Sequence, residues 1–326
     1  MSAALNEKQA ARQQRYWGRL IRWSAALPVF LICVLSLPAR AAGEKRPVFV
    51  TASLLNRNDL YIDNLERSEV EILEDGHSRP LEFMARDELP SVYGIVFDRA
   101  MLPDVTESER SGLQSRSSAT SARDIAYELI DKYLARQTIW VGAYSRELQV
   151  VFDAAADGFG AKDAIGRIQG GRSTEPSYFF AALASAVTKM NQRHERRRIL
   201  IFFLESIDSE TAARSKILKN LLASCNVELF TLSYATRLGT AGGLHPALNS
   251  SLLRELAQAT AGQAFFSTDY RDHPEDIVRR ILSQLQTFYT FGFTAESGLD
   301  NPGKLSIKCS RPGSKVKQHP TVPAFE

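Results

Sequence analysis

The segment Val92-Tyr93-Gly94-Ile95-Val96-Phe97-Asp98 decides the fold class, because six apolar or small residues run without interruption into an acid. A continuous apolar run, as opposed to an alternating one, is typical of a parallel strand that is covered on both faces. Similar short runs follow at residues 139–144, 148–152, 199–204, 227–232 and 264–266. The chain therefore carries several candidate strands for one buried sheet.

Amphipathic stretches separate most of these runs. Their apolar residues recur three and four positions apart, which predicts helices at residues 125–133, 217–222, 248–256 and 277–285. Ser121 and Asp124 have the spacing of a capping box, so the first helix is expected to begin there. Gly158 and Gly160 lack the spacing of a phosphate-binding loop and are interpreted as a turn. This alternation predicts an α/β fold with a doubly wound, mainly parallel sheet.

Shorter β segments flank this body on both sides. Residues 48–50 and 70–73 precede it, and the Asp75-Gly76 pair predicts a hairpin turn. Residues 288–294 and 305–310 follow it. We expect the two sets to pair into a small β-sandwich-like region. The predicted organisation is a leader (1–41), an N-terminal β region (42–89), an α/β domain (90–287) and a C-terminal β region (288–326).

The first 41 residues have the three parts of a secretory signal peptide. A basic stretch precedes an apolar run at residues 24–37, and Ala39-Arg40-Ala41 follows as a cleavage signal. This run of about 14 residues would span only ~21 Å as a helix, which favours cleavage over permanent anchoring. The alternative is an uncleaved N-terminal anchor. In both cases the protein is predicted to be exported, and to be periplasmic, secreted or associated with the cell envelope.

The charge of the body differs from that of the whole chain. Without residues 1–41, which hold six basic side chains and one acid, the net charge changes from +3 to −2. A near-neutral body gives no electrostatic basis for binding nucleic acid, and membrane contact is expected only through an uncleaved N-terminal segment. The basic cluster at residues 193–198 is interpreted as a solvated helix end.

The cysteines and histidines give little indication of catalysis or of zinc binding. Outside the leader only Cys225 and Cys309 remain, and they form either a disulfide in an oxidising compartment or two separate thiols. No Cys/His cluster has zinc spacing, and no Ser/His/Asp, HExxH or GxSxG arrangement is present. The sequence therefore favours a binding protein over an enzyme.

Several segments, taken in order, resemble the von Willebrand factor A (vWA)-related family of bacterial exported proteins. They are Glu74-Asp75-Gly76, Tyr93 to Asp98, 177–183, 199–205, 227–232, 256–266, 288–293 and Arg311-Pro312-Gly313. The resemblance extends from about Val48 to Val316 and depends on order and spacing. It implies a Rossmann-like fold and, in many members, a metal-ion-dependent adhesion site (MIDAS) at the carboxyl edge of the sheet.

The family pattern for this site is Asp-x-Ser-x-Ser after the first strand, a Thr before a later helix and an Asp after the fourth strand. Such oxygen ligands suit Mg²⁺, which requires octahedral coordination. In this chain Asp98 is followed by Arg99-Ala100-Met101-Leu102, so both serine hydroxyls are missing. The resemblance therefore implies a degenerate MIDAS that is expected to lack a functional metal.

The remaining positions of the family pattern can each be matched to a residue of this chain. The Thr position falls on Ser177, or on Thr174 in another register, and the closing acid is Glu205. The candidate ligand-binding face is thus Asp98, Arg99, Thr174, Ser177 and Glu205. If a metal binds, its ligands would be Asp98, Ser177 and Glu205. The competing interpretation is a salt bridge between Arg99 and Glu205 in place of the cation.

Three functional hypotheses follow. The first is an exported interaction module that binds an unidentified protein partner through carboxyl-edge loops at residues 102–121, 171–177 and 236–245. The second is a hydrolase in which Asp98 and Glu205 act as acid and base, which requires both carboxyls in one cleft and one raised pKa. The third is a structural envelope component whose β region oligomerises.

Overall fold

A computed structural model describes residues 47–86, 89–102, 116–170, 177–205, 207–233, 246–266, 274–294 and 304–318. Residues Lys45–Glu326 form one compact unit. The predicted leader, Thr174 and most of the predicted binding loops lie outside the described residues. Within the described ranges, no helix combines the length and the apolar character needed to cross a membrane.

Thirteen strands and seven α-helices make up the described part of the chain. The strands are β1 (Pro47–Leu55), β2 (Val70–Glu74), β3 (His77–Arg79), β4 (Phe83–Arg86), β5 (Ser91–Asp98), β6 (Thr138–Tyr144), β7 (Leu148–Ala155), β8 (Arg197–Leu204), β9 (Val227–Ser233), β10 (Gln263–Phe266), β11 (Phe288–Thr294), β12 (Leu305–Cys309) and β13 (Lys315–Gln318). The helices are α1 (Arg116–Lys132), α2 (Gly158–Arg167), α3 (Phe179–Asn191), α4 (Ser209–Ala213), α5 (Ser215–Ser224), α6 (Pro246–Gln258) and α7 (Pro274–Gln286).

The central sheet has the order β10-β9-β8-β5-β6-β7. All neighbours are parallel except β6 and β7, which are antiparallel. Only Ser145-Arg146-Glu147 connects these two strands, and a parallel crossover needs a much longer connection. One face of the sheet packs against α1, α2 and α7, and the other against α3, α5 and α6. The predicted doubly wound, mainly parallel sheet is confirmed.

Two smaller antiparallel sheets combine strands from both ends of the described chain. Their orders are β13-β1-β11-β4 and β12-β2-β3. They share an apolar core that includes Val50, Ile72, Phe291 and Ile307. The hairpin between β2 and β3 turns at Asp75 and Gly76, both at positive φ, as a two-residue turn of this kind requires. The predicted β-sandwich-like region is therefore present.

Two predictions about helix starts were wrong. Helix α1 begins at Arg116, so Ser121 lies inside it and does not open it. Gly158 and Gly160 form the first turn of α2, where the Asp157 side chain accepts a hydrogen bond from the Gly160 N–H at 2.8 Å. A Cβ at Gly158 would lie 2.8 Å from the Cβ of Ala135. Close packing, and not a turn, requires glycine at position 158.

The basic cluster at residues 193–198 is only partly a solvated helix end: His194 and Arg196 are exposed, but Arg197 is buried, contrary to that interpretation. Arg197 begins β8 and donates to both carboxylate oxygens of Glu228 on β9, at 2.8 and 3.2 Å. It also donates to the Leu285 carbonyl at 2.8 Å and stacks over the Phe288 ring. The side chains of Arg197 and Glu228 are each only 2% exposed. This ion pair lies at the amino edge of the central sheet and links β8 to β9 there.

The two cysteines are separate in the structure. Cys225 follows α5 and packs in the core between the central sheet and its helices, whereas Cys309 ends β12 in the β region. Both thiols are free. The disulfide that the sequence left open is not formed.

Candidate functional site

The strand order of the central sheet defines where a ligand would bind. Strands β5 and β8 are neighbours, yet the connections that follow them run to opposite sides of the sheet. Open α/β sheets bind ligands outside the carboxyl ends of the strands at such a switch point. Asp98 is the last residue of β5, and Glu205 directly follows β8. The topology alone therefore places both acids at the expected site.

Asp98 is the centre of this site. Its side chain is 0% exposed, and it caps the 3-10 turn Arg99–Met101 by accepting a hydrogen bond from the Ala100 N–H at 2.9 Å. Ser177 Oγ donates to the same carboxylate oxygen at 2.5 Å. The Glu205 N–H makes a long hydrogen bond of 3.5 Å to the other oxygen. Neutral donors thus occupy both oxygens of a fully buried carboxylate.

Both acids of the site have raised pKa values. Burial raises the pKa of Asp98, and hydrogen bonds from Ser177, Ala100 and Glu205, together with the Tyr144 hydroxyl, lower it without cancelling this effect. Burial also raises the pKa of Glu205, with the nearby Asp98 charge as the second cause. Neither acid forms a salt bridge within the described part of the chain. Two acids therefore lie together, and no cation of the described residues pairs with either of them.

Tyr144 ends β6 beside Asp98 and was not predicted to belong to the site. Its pKa is raised well above the ordinary value by complete burial and then by the charges of Asp98 and Asp208. Its buried hydroxyl faces the Asp98 carboxylate, but no described residue accepts from it at normal hydrogen-bond geometry. An unsatisfied buried hydroxyl costs about 1–3 kcal/mol. Its position at the end of an apolar run gave no signal in the sequence.

Asp208 positions Ser177 indirectly and was also missed by the sequence analysis. Its carboxylate accepts from the Phe180 N–H at 3.1 Å, in the first turn of α3, and from the Thr211 N–H at 2.7 Å, in α4. The Tyr178 N–H donates to the Ser145 carbonyl at 2.8 Å. These bonds fix the start of α3, which follows Ser177 closely. Asp208 precedes Ser209 in an N-cap pattern that could have revealed it.

The predicted salt bridge between Arg99 and Glu205 was wrong. Arg99 donates to the Gln169 carbonyl at 2.9 Å and to Oε1 of Gln149 at 3.0 Å. Both acceptors are neutral and lie on the side of the sheet that α2 covers. The guanidinium therefore points away from the two acids and leaves their charge uncompensated.

The residues of the site do not fit the metal that the vWA-related fold implies. The two serine positions of the family pattern are Ala100 and Leu102, and Met101 and Leu102 are buried in the core. Both Asp98 oxygens already accept hydrogen bonds from protein groups. The described ranges contain no group of three His, Cys, Asp or Glu side chains arranged to hold a metal. The described residues therefore do not supply an octahedral set of oxygen ligands for Mg²⁺.

The structure brings together three of the five predicted face residues: Asp98, Ser177 and Glu205. Arg99 is adjacent in sequence but turns to another surface, and Thr174 lies outside the described residues. A cavity of about 470 Å³ lies beside Arg99, Val151, Phe152 and Arg167, and neither Asp98 nor Glu205 lines it.

Comparison with known proteins gives distant structural likenesses. No family model matches the chain, and no curated protein matches it. The chain is similar to an aerotolerance-related membrane protein from Bacteroides fragilis, at 14% identity over 60% of this chain and 98% of that one, with a TM-score of 0.44. It is also similar to a von Willebrand factor type A protein from Catenulispora acidiphila, at 12% identity over 85% and 73% of the chains and a TM-score of 0.46.

A third similar structure is proximal thread matrix protein 1 from the mussel byssus, with a zinc-occupied MIDAS. The identity is 12%, 65% of this chain and 49% of that one are covered, and the TM-score is 0.46. Likenesses this distant carry no inference about what this chain binds. The strand order β7-β6-β5-β8-β9-β10, with its one antiparallel edge strand, is that of a doubly wound α/β fold.

Proposed function

We propose that the chain is an exported protein–protein interaction module of vWA type, which binds an unidentified protein partner through the carboxyl-edge loops without a bridging divalent cation. Export is inferred from the composition of residues 1–41, and the expected location is the periplasm, the cell envelope or the outside of the cell. The partner's chemistry would be recognised by loop side chains at the switch point of the sheet.

The state of Asp98 is the observation that carries this proposal. In a metal-bridged adhesion site, one coordination position of the cation stays open for a carboxylate of the partner. Here the corresponding acid is buried and accepts hydrogen bonds from Ser177 and from the backbone of Ala100 and Glu205. Asp98 thus stabilises, through these hydrogen bonds, the residues that surround it at the carboxyl edge. Recognition would depend on the shape and side chains of those loops.

The described ends of the loops support the choice of the carboxyl edge. Leu102 follows β5, Ser177 precedes α3 and Ser233 ends β9. The segments 103–115, 171–176 and 234–245 begin or end at these residues and lie outside the described part of the chain. Three connections therefore begin or end at the carboxyl edge of the sheet.

The hydrolase alternative receives support from the raised pKa values of Asp98 and Glu205. Its second requirement was a common cleft, and Asp98 is 0% exposed. A general acid or base must come within hydrogen-bond reach of the group that it protonates or deprotonates. For this reason the interaction module is the function we propose.

The proposal is tested by cross-linking capture from the native envelope with three forms of the full chain. They are the wild type, a variant with residues 103–115 replaced by a Gly/Ser segment of equal length, and Leu60→Ser as the control. Leu60 is 61% exposed in the distant β region. We expect one partner to be captured by the wild type and the control but not by the loop variant, and EDTA to leave capture unchanged. Equal capture by the loop variant would refute the binding face, and release by EDTA would refute metal independence.

A further inference from the structure

A cavity of about 470 Å³ lies between strand β7 and helix α2 and is not lined by either acid of the carboxyl-edge site. Gly160, Ala164 and Arg167 line it from α2, at the spacing of one helix face. Val151 and Phe152 line it from β7. Pockets that bind small molecules have volumes of about 300–1,000 Å³, so this cavity is large enough for a small organic ligand.

Much of the cavity wall is apolar. The pairing of β7 with β6 shifts at a β-bulge, so Val151 and Phe152, although consecutive, both line the cavity. Val151 is 42% exposed. On the helix side, Gly160 and Ala164 have no side chain or a single methyl group, which leaves the space beside β7 unfilled. An apolar ligand group would cover a wall that the described protein leaves partly open.

Arg99 supplies a positive charge where this cavity approaches the carboxyl end of α2. Its guanidinium donates to the Gln169 carbonyl at 2.9 Å and to Oε1 of Gln149 at 3.0 Å. A guanidinium has five N–H groups, so three of them remain for a ligand. No acid in the described ranges forms an ion pair with Arg99. The two neutral acceptors therefore hold a cation in place without neutralising it.

The other charges near the cavity do not cancel that of Arg99. Arg167 and Asp163 also line the cavity, but they form a salt bridge with each other at 2.8 Å. Arg123 on α1 donates to the carbonyl of Ile168, a further lining residue, at 2.8 Å. The described lining therefore has a net positive charge, and its unpaired cation is Arg99.

We propose that this cavity binds a small organic monoanion with an apolar body, namely an aliphatic or aromatic carboxylate. The carboxylate accepts hydrogen bonds from the remaining N–H groups of Arg99, a geometry that a planar guanidinium favours. The apolar body packs against Val151 and Phe152. One space receives both parts of the ligand, because Arg99 and the apolar residues line the same cavity. This site is separate from partner binding by the carboxyl-edge loops.

The test uses the full chain and dansylglycine, a carboxylate whose dansyl group fluoresces more strongly in apolar surroundings. Dansylglycinamide, in which an uncharged amide replaces the carboxylate, is the matched neutral probe. We expect saturable binding of dansylglycine with a Kd below about 1 mM, and at least about tenfold weaker binding of the amide. Inorganic phosphate at the same concentration should not displace dansylglycine, because it has no apolar group.

Two variants separate the charge of the cavity from its space. Arg99→Gln should weaken dansylglycine binding at least about tenfold and leave binding of the amide unchanged, since only the carboxylate contacts the guanidinium. Ala164→Leu should weaken binding of both probes, because the longer side chain occupies the cavity. Arg279→Gln is the control for loss of an arginine, since Arg279 on α7 is 77% exposed and does not line the cavity.

Several outcomes would overturn this proposal. They are the absence of saturable dansylglycine binding up to about 1 mM, equal affinity for the amide, displacement by phosphate, or unchanged binding by Arg99→Gln. If Arg99→Gln weakens both probes equally, Arg99 only maintains the shape of the cavity. Val151→Trp provides a second cavity-filling substitution if Ala164→Leu lowers the melting temperature, and unchanged binding by it would place the ligand elsewhere. The variant with residues 103–115 replaced should bind dansylglycine normally, so failure at the cavity and failure at the carboxyl-edge loops are distinguishable.

Discussion

The amino and carboxyl edges of the central sheet differ in how their buried charged groups are paired. At the amino edge, Arg197 and Glu228 neutralise each other through two hydrogen bonds, and Arg197 has further contacts with the Leu285 carbonyl and Phe288. At the carboxyl edge, Asp98 and Glu205 are both acids, and neutral donors satisfy the buried one. At the amino edge the buried acid is paired with a cation, and at the carboxyl edge no cation of the described residues pairs with either acid.

This difference distinguishes the part of the sheet that stabilises the fold from the part that is the candidate binding site. Removing one partner of a buried ion pair is strongly destabilising, so the Arg197–Glu228 pair is expected to be part of the framework that holds the fold together. Acids whose pKa values are raised by burial and by each other are typical of functional positions, where the surrounding fold compensates for their cost. The distinction agrees with the rule that open α/β sheets bind ligands at their carboxyl edge.

The largest predicted effect is at the amino edge. Arg197→Met would remove the guanidinium that donates two hydrogen bonds to the buried Glu228 carboxylate, which should lower the free energy of unfolding by about 3–5 kcal/mol. The double variant Arg197→Met/Glu228→Leu should recover most of this loss, because no isolated charge remains. Urea unfolding of both variants measures the effect. If the single variant loses less than about 1 kcal/mol of unfolding free energy, the Arg197–Glu228 ion pair contributes little to the stability of the fold.

At the carboxyl edge, Ser177→Ala removes a hydrogen bond to a buried charge. The expected loss of stability is about 1.5–3 kcal/mol, because Oδ1 of Asp98 keeps only the Ala100 N–H as a donor. Ser177→Thr retains the hydroxyl and serves as the matched control. If the two variants unfold at the same urea concentration, the hydroxyl does not stabilise Asp98.

Substitutions at two buried tyrosines are expected to change the stability of the protein in opposite directions. Tyr144→Phe removes a buried hydroxyl that faces Asp98 without normal hydrogen-bond geometry, so stability should rise by about 1 kcal/mol. Tyr289→Phe removes the acceptor of the Leu65 N–H, at 3.1 Å in the β region, so stability should fall by about 1 kcal/mol. Thermal unfolding of both proteins gives the two signs directly. A loss for Tyr144→Phe would show that its hydroxyl has a stabilising partner.

The smallest effect concerns the charge of Glu205. Because its folded pKa is raised, stability that is present at low pH is lost as the pH rises through the folded value. Glu205→Gln should therefore be more stable than the wild type at neutral pH, by less than about 1 kcal/mol for this half-buried group. The difference should disappear below a pH of about 4, near the ordinary pKa of Glu.

Urea unfolding at several pH values measures this difference, with Glu147→Gln at an exposed position as the control. A destabilised Glu205→Gln at neutral pH would indicate that the carboxylate has a cationic partner.

The strands of the central sheet were predictable because parallel strands covered on both faces must be apolar throughout, as residues 92–97 are. Helix α2 was missed because Gly158 and Gly160 have poor helix propensity, and the requirement for Gly158 comes from its distant neighbour Ala135. Tertiary packing of this kind leaves no periodic signal along the chain.

The error at Arg99 has the same origin. Its acceptors lie on β7, the strand that reverses direction, and on the segment that follows α2. Without those two elements, the sequence offered Glu205 as the obvious partner. The proximity of Asp98, Ser177 and Glu205 was predictable, because each lies at the carboxyl end of a strand or at the start of a helix. The role of Tyr144 depends on packing and could not be derived from spacing, whereas Asp208 lies in an N-cap pattern that the sequence does carry.

Calorimetric titration of the full chain with Mg²⁺, Mn²⁺ and Ca²⁺ tests most directly the claim that the carboxyl edge functions without a cation. With Asp98 buried and both of its oxygens bonded to protein donors, we expect no saturable heat of binding for any of the three ions. Micromolar binding that Asp98→Ala abolishes would contradict the account and restore a metal to the site.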